Sequence, residues 1–283
     1  MKKTKTEKIV FTIVFCLFIA YTAYILFPLL FAFNSALKAD GGHVLKYAEK
    51  LSIPPHFENF VDALEGLKVG KTTFFMMVLN SIIYTCGTTF LGIMSSTFLA
   101  YAVSRYEFKL KGFLYALALF VMTIPIYGSA PAYYKLIKWL QWDNKWLYLL
   151  STAGAFGFNF IVIHSFFEGV SKEYSEAAFM DGAGHFHVFF KIMLPMAIPS
   201  IMAVVITTFI GNWNDYMTPL LYLKKMPTLA SGLYVYKVQT AGYQASDHLY
   251  FSGVLISLIP VLILFVSFQN TIMEKVYAGG LKG

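Results

Sequence analysis

Along this chain apolar residues run in blocks instead of alternating with polar ones. Six stretches contain no Asp, Glu, Lys or Arg: Ile9–Leu37, Thr72–Ser104, Gly112–Tyr134, Trp146–Phe167, Ile192–Asn214 and His248–Met273. A bilayer core needs about 20 apolar residues in a helix. Each stretch is long enough. The pattern predicts membrane helices over roughly 9–33, 74–103, 112–134, 146–167, 195–222 and 249–273. Pro28, Pro125 and Pro260 fall within or near these spans, where neighbouring helices can satisfy the freed backbone groups. The fold class predicted is an all-α membrane protein of six transmembrane helices, forming one domain over residues 1–283.

The first block follows Lys2, Lys3, Lys5 and Lys8, as a signal peptide would. Its apolar run is far longer than a signal core of about 7–15 residues, and no A-x-A cleavage site follows. It is therefore read as a retained helix. Orientation is not settled by the total charge of the loops, because eleven basic residues fall on each side. The first helix breaks the tie: four Lys precede it and only Lys38 follows closely, which places both termini in the cytoplasm. Outside then lie a loop over 38–71, a short turn among Trp139, Trp142 and Trp146, and a loop near 224–247. Inside lies the loop 168–194, the least hydrophobic long insertion on that face.

Composition sharpens the picture. Of 283 residues, 58% are hydrophobic and 13% charged, so a water-soluble fold could not hide the apolar surface. The net charge of +7 comes from scattered Lys, which speaks for membrane-flanking charge and against nucleic acid. Cys16 and Cys86 sit in apolar runs, a place for packing more than for a disulfide or metal.

Motifs for catalysis are missing. Gly66–Thr73 resembles a phosphate-binding loop, but it is one residue short between its glycines and has no preceding strand. The chain thus carries no ATPase of its own. There is no H-E-x-x-H and no G-x-S-x-G. His185 and His187 are two apart and point to different helix faces, and His164 reads as a packed or interfacial residue. No metal site and no enzyme are predicted. The spans hold no carboxylate cluster, which argues against an ion-coupled pump.

One region remains with legible local physics. Residues 171–199 read SKEYSEAAFMDGAGHFHVFFKIMLPMAIP. Ser171 can cap a helix that carries Glu173 in its first turn. Asp181-Gly182 ends that helix, and a second amphipathic segment, His185 to Met193, runs into Pro195, Pro199 and the fifth span.

This segment resembles the E-A-A-x3-G-x9-I-x-L-P loop of membrane subunits of binding-protein-dependent ABC importers. Glu176, Ala177, Ala178, Gly182, Ile192, Leu194 and Pro195 stand at every position. Asn80-Ser81, Ala100-Tyr101-Ala102 to Arg105-Tyr106, Ile124-Pro125, Trp213-Asn214-Asp215-Tyr216 and the tail 279–283 are similar to elements of the carbohydrate branch, the maltose-permease-like smaller subunit. Ser171 replaces the family's usual Pro, and the tail lacks one of its glycine spacings.

The resemblance implies a type I ABC importer architecture in a bacterial cytoplasmic membrane. It implies a second permease, two copies of a cytoplasmic ATPase that hold ATP and Mg, and an extracytoplasmic sugar-binding protein. This chain would then need no cofactor of its own. Coupling to the ATPase would fall to Glu176, Ala177, Ala178, Asp181, Gly182, Leu194 and Pro195. The cargo implied is a sugar or oligosaccharide; a polyol-phosphate or amino acid is the alternative, and a secondary transporter a more distant one. Polar groups within spans usually face the bundle interior. Asn80, Asn159, Asn212, Trp213, Asn214 and Asp215 are therefore candidates for the substrate path or for pinning helices together.

Overall fold

A computed structural model describes residues 4–124, 129–142, 145–239 and 247–280, with side chains except at 129, 145–146 and 268–280. Among the described residues the chain is almost wholly helical. Its helices are α1 (Lys5–Ala36), α2 (Gly41–Lys46), α3 (Glu58–Gly66), α4 (Phe74–Arg105), α5 (Lys111–Thr123), α6 (Ser129–Trp139), α7 (Lys145–Ser151), α8 (Phe158–Gly169), α9 (Glu173–Met180), α10 (His185–His187), α11 (Leu194–Asn214), α12 (Met217–Tyr222), α13 (Leu229–Gln239) and α14 (Asp247–Gly280). A π-helical segment, Val188–Met193, joins α10 to α11. Four helical runs among the described residues are long and apolar enough to cross a bilayer: Lys5–Ala36, Phe74–Arg105, His185–Asn214 and Asp247–Ser267.

The long helices α1, α4 and α14 enclose the stretches predicted over 9–33, 74–103 and 249–273. The other three predicted spans are not single helices. In the 112–134 stretch, α5 stops at Thr123 and Ile124 is extended at ψ 107°. Ile124 precedes Pro125, whose ring disfavours the α region for its neighbour. The 146–167 stretch breaks between α7 and α8, where Gly157 has φ +124°. The 195–222 stretch breaks at Asp215, extended at ψ 106°.

The chain forms two compact units. One comprises residues 1–75 and 232–259. In it, α1 begins with a capping box: the Thr4 hydroxyl accepts from the Glu7 N–H at 3.3 Å, and the Glu7 carboxylate accepts from the Thr4 N–H at 2.8 Å. Hydroxyls inside α1 bond back to their own helix, Thr12 to the Lys8 carbonyl and Thr22 to that of Phe18, which satisfies these donors without water. The 38–71 loop is tied to the end of α1. The Asn59 amide donates to the Ala36 and Lys38 carbonyls at 2.7 and 2.8 Å, and Asn34 bonds Lys50 and Ser52. Asp40 caps α2 and accepts from the His43 N–H, which holds its carboxyl below the usual range.

The other unit comprises residues 76–231 and 260–283. It has two cores. The first gathers Ala100, Tyr101, Phe160, Ile163, Phe167, Ala178, Val188, Phe189 and Met193 around α4, α8 and the 168–194 loop. The second gathers Tyr84, Tyr148, Tyr222, Leu149 and Leu223, with Tyr133 and Trp142 packed against them. The same helix, α4, also carries the buried polar residues Thr88, Thr89, Ser96 and Thr97.

Candidate functional site

The 168–194 loop is a helix, a turn and a π-helix. Residue Lys172 occupies the cap position of α9 and makes no side-chain cap bond. Its neighbour Ser171 supplies one: the hydroxyl accepts from the Glu173 N–H at 3.2 Å. Glu173 and Glu176 lie in the first turn, where carboxylates favour the positive end of the helix dipole.

A Schellman turn ends the helix. The Ala183 N–H donates to the Ala178 carbonyl at 2.9 Å and the Gly182 N–H to that of Phe179 at 3.0 Å. Gly182 has φ +81°, which favours a residue without Cβ. A Cβ there would meet nothing within 4 Å, so the constraint is backbone strain and not a clash.

The two faces of α9 divide the predicted residues. Ser175 and Ala178 are buried, and the Ser175 hydroxyl approaches the Met193 sulfur at 3.5 Å. Glu176, Ala177 and Asp181 are exposed. The alanine pair is therefore split. Ala177 faces outward, whereas Ala178 packs in the chain's own core with Val188, Phe189 and Met193. Adjacent residues on a helix point about 100° apart, so one face cannot hold both. The π-helix continues without a break into α11, in whose first turn Leu194 and Pro195 lie. A cavity of about 460 Å³ is lined by Ala178, Asp181, Gly182, Ala183, His187 and Ile192.

The exposed surface holds residues that the motif does not contain. Met180 is 87% exposed and Phe186 79%, with Tyr174 and Phe179 also in the open. Exposed Met and aromatic side chains around a charged helix form a surface suited to contact with another protein. A signal was present in the sequence: Phe179-Met180 directly before the Asp-Gly break, and Phe186 directly after.

The polar candidates of the spans do not converge on one point. The Asn80 amide donates to the Pro227 carbonyl at 3.0 Å. Asn159 on α8 and Thr208 on α11 bond each other at 3.1 Å, and the Asn212 amide donates to the Thr89 hydroxyl at 3.0 Å. Trp213 is buried and stacks on Phe209, their rings 7° from parallel. Asn214 is exposed and donates to the Ile210 carbonyl of its own helix. Asp215 accepts from the Tyr84 hydroxyl at 2.8 Å and from the Thr218 N–H at 3.0 Å. Asn159, Asn212 and Asp215 thus join α4, α8 and α11. Beside Asp215 stands the tyrosine cluster, in which Tyr148 and Tyr222 stack and the Tyr133 and Ser151 hydroxyls bond at 2.9 Å.

Known proteins share this sequence and fold. The family described as "Binding-protein-dependent transport system inner membrane component" matches residues 89–276. The chain is 32% identical to the probable ABC transporter permease protein YurM of Bacillus subtilis, over 93% of this chain and 86% of that protein. It is 27% identical to the arabinooligosaccharides transport system permease protein AraQ of the same organism, over 91% of each. Its fold is similar to a chain in the crystal structure of a bacterial ABC transporter involved in the import of the acidic polysaccharide alginate. The TM-score is 0.77 at 20% identity, over 95% of this chain and 99% of that one.

Proposed function

We propose a function from one premise: this chain belongs to the family of binding-protein-dependent transport system inner membrane components. On this reading it is a permease subunit of an ATP-driven importer in a bacterial cell membrane. It crosses the membrane six times with both termini in the cytoplasm, the shorter helices α5 to α8 completing the third and fourth spans. The cargo is a sugar or oligosaccharide, a reading supported by the arabinooligosaccharide relative. The chain catalyses no reaction. A second permease completes the path, an extracytoplasmic binding protein delivers the cargo, and two copies of a cytoplasmic ATPase bind ATP and Mg.

The observation that carries this reading is α9. It is a short helix closed by a glycine-dependent turn, and the residues on its open face match the family motif. Glu176 offers a carboxylate to a basic group of the ATPase. Ala177 permits close approach, and Gly182 with Asp181 seats the turn. Leu194 and Pro195 begin the span that receives the motion. ATP-driven closure of the two ATPase subunits draws two such helices together, and access alternates across the membrane. In the spans, Asn80, Asn159, Asn212, Trp213, Asn214 and Asp215 border the cargo path. Bonds between helices orient Asn159, Asn212 and Asp215, and amides and rings suit sugar hydroxyls and apolar sugar faces.

Purification from detergent of the tagged chain, expressed with its genomic neighbours, tests the proposal. A bound ATPase and a second permease are expected, with the ATPase lost or weakened by Glu176→Lys. Recovery of the stable chain without either partner would refute it. Gly182→Ala should weaken ATPase recovery less than Gly182→Val. The alanine adds only the strain of a positive φ, about 1 kcal/mol, while the valine adds β-branching to that strain.

A further inference from the structure

We infer that Arg105 and Tyr106 are positioning residues that fasten the α9 segment to α4, so that a push on α9 moves α4 with it. The inference rests on the coupling role proposed for α9. By its covalent links alone, α9 is loosely held. Non-helical residues precede it, and the Gly182 turn follows it. Two consecutive residues at the end of α4 close both gaps. The Arg105 guanidinium donates to the Val170 carbonyl at 2.7 Å, just before α9. The Tyr106 hydroxyl and His185 Nδ1 bond at 2.9 Å, just after the turn. His185 in turn meets the Phe179 ring edge-on, with centroids 5.0 Å apart. Tyr101, one turn back on α4, packs against Tyr106, against Phe167 before α9 and against Phe189 after it.

The chemistry of Arg105 supports placement over decoration. Its Nε is buried with no hydrogen-bond partner. Withdrawing a guanidinium from water is costly, so a surface role would favour an arrangement that keeps this donor wet. Here the group gives up that contact and aims at a backbone carbonyl. A carbonyl cannot change with the side chain at position 170, so the grip holds the chain path itself. Farther along the same helix, Thr89 receives the Asn212 amide and Tyr84 donates to Asp215, at the break between α11 and α12. One 32-residue helix therefore links the α9 segment to that break. A second route runs through the π-helix into α11, so loss of the fastening weakens transmission without abolishing it.

The test uses the full complex with its ATPase in lipid, with ATP and Mg as the probe. A reporter cysteine, Met217→Cys on the exposed start of α12, is placed in a Cys16→Ser, Cys86→Ser background. Its labelling rate by a water-soluble maleimide is read with and without ATP, beside the amount of ATPase recovered. The combined change Arg105→Ala with Tyr106→Phe should cut the ATP-dependent change in labelling about fivefold at undiminished ATPase recovery, and Arg105→Lys alone should stay within about twofold of the parent. A full ATP response in the combined variant overturns the inference. So does a loss of response that only tracks lost ATPase. A second measurement does not depend on weakened packing. In a chain that keeps Met217, Tyr106→Cys with His185→Cys, joined by a bifunctional maleimide, should keep the ATP-dependent change in tryptophan fluorescence of the complex, because the two positions move together; a blocked change overturns the inference. If the parent chain recovers no ATPase, the coupling role of α9 fails first, and this inference with it.

Discussion

Helices α1 and α4 are each 32 residues long and each long and apolar enough to span a bilayer, yet they use their surfaces in opposite ways. The more apolar of the two, α1, buries none of its most hydrophobic 18-residue window, while α4 buries 39% of its own. In water the order would be reversed. In lipid the apolar phase surrounds the protein, so hydrophobicity sends a helix outward, and small or hydroxyl residues bring it inward. The buried residues of α4 include Met77, Ser81, Tyr84 and Thr88, and then Ile93, Thr97, Ala100 and Ser104, each set spaced by three and four. On α1 the residues Ile9 to Leu30 present large apolar side chains on all sides.

The sharpest way to break this contrast is to overfill α4. Ala100 is fully buried, so Ala100→Phe should cost about 3 kcal/mol and lower the melting midpoint in detergent. Ala20→Phe on the exposed α1 should leave that midpoint unchanged. Equal effects would mean that α1 is as tightly packed as α4. Next in size is Tyr84→Phe, which removes a hydrogen bond to the Asp215 carboxylate. A loss of about 2 kcal/mol is expected, and Asp215→Asn should cost less in this background than alone, since the Tyr84 bond is already gone and an amide oxygen can still accept from the Thr218 N–H. The smallest effect sharpens the comparison at the level of one hydroxyl. Both Thr97 and Thr22 bond back to their own helices, at 2.7 and 2.8 Å. Thr97→Val, in a fully buried site, should shift stability by about 0.5 kcal/mol, and Thr22→Val by less than the precision of a melting curve.

Much of the 168–194 loop could be read before any coordinates. Glu173 in the first turn, the Asp181-Gly182 stop and the start of α11 at Leu194-Pro195 all follow from local rules of helix capping. The cap itself lies one residue off, because Lys172 takes the cap position while Ser171 supplies the hydroxyl. What was not legible is the split of the alanine pair. Which side of α9 faces the chain depends on where Val188 and Met193 arrive, and they arrive through a π-helix. That element has a different residue count per turn, and the sequence VFFKIM carries no mark of it. The pairs Asn159–Thr208 and Asn212–Thr89 were equally hidden. Each residue was visible as an intramembrane polar group, but its partner lies 49 or 123 positions away.

Apolar block length and motif spacing were decided by the chain alone, because a bilayer imposes a fixed length and a helix a fixed period. From these came the membrane class, the long helices α1, α4 and α14, and the family motif with Gly182 at its turn. The breaks at Ile124 and Gly157 stand beside residues that signal them, Pro125 and the glycine itself. At Asp215 the local signal is the carboxylate that accepts from the Thr218 N–H, and the break is also held by Tyr84, 131 positions away. Only the tertiary structure could show that Arg105 ends on the carbonyl of Val170. Every residue has a backbone carbonyl, so no pattern of side chains announces which one a distant guanidinium will reach.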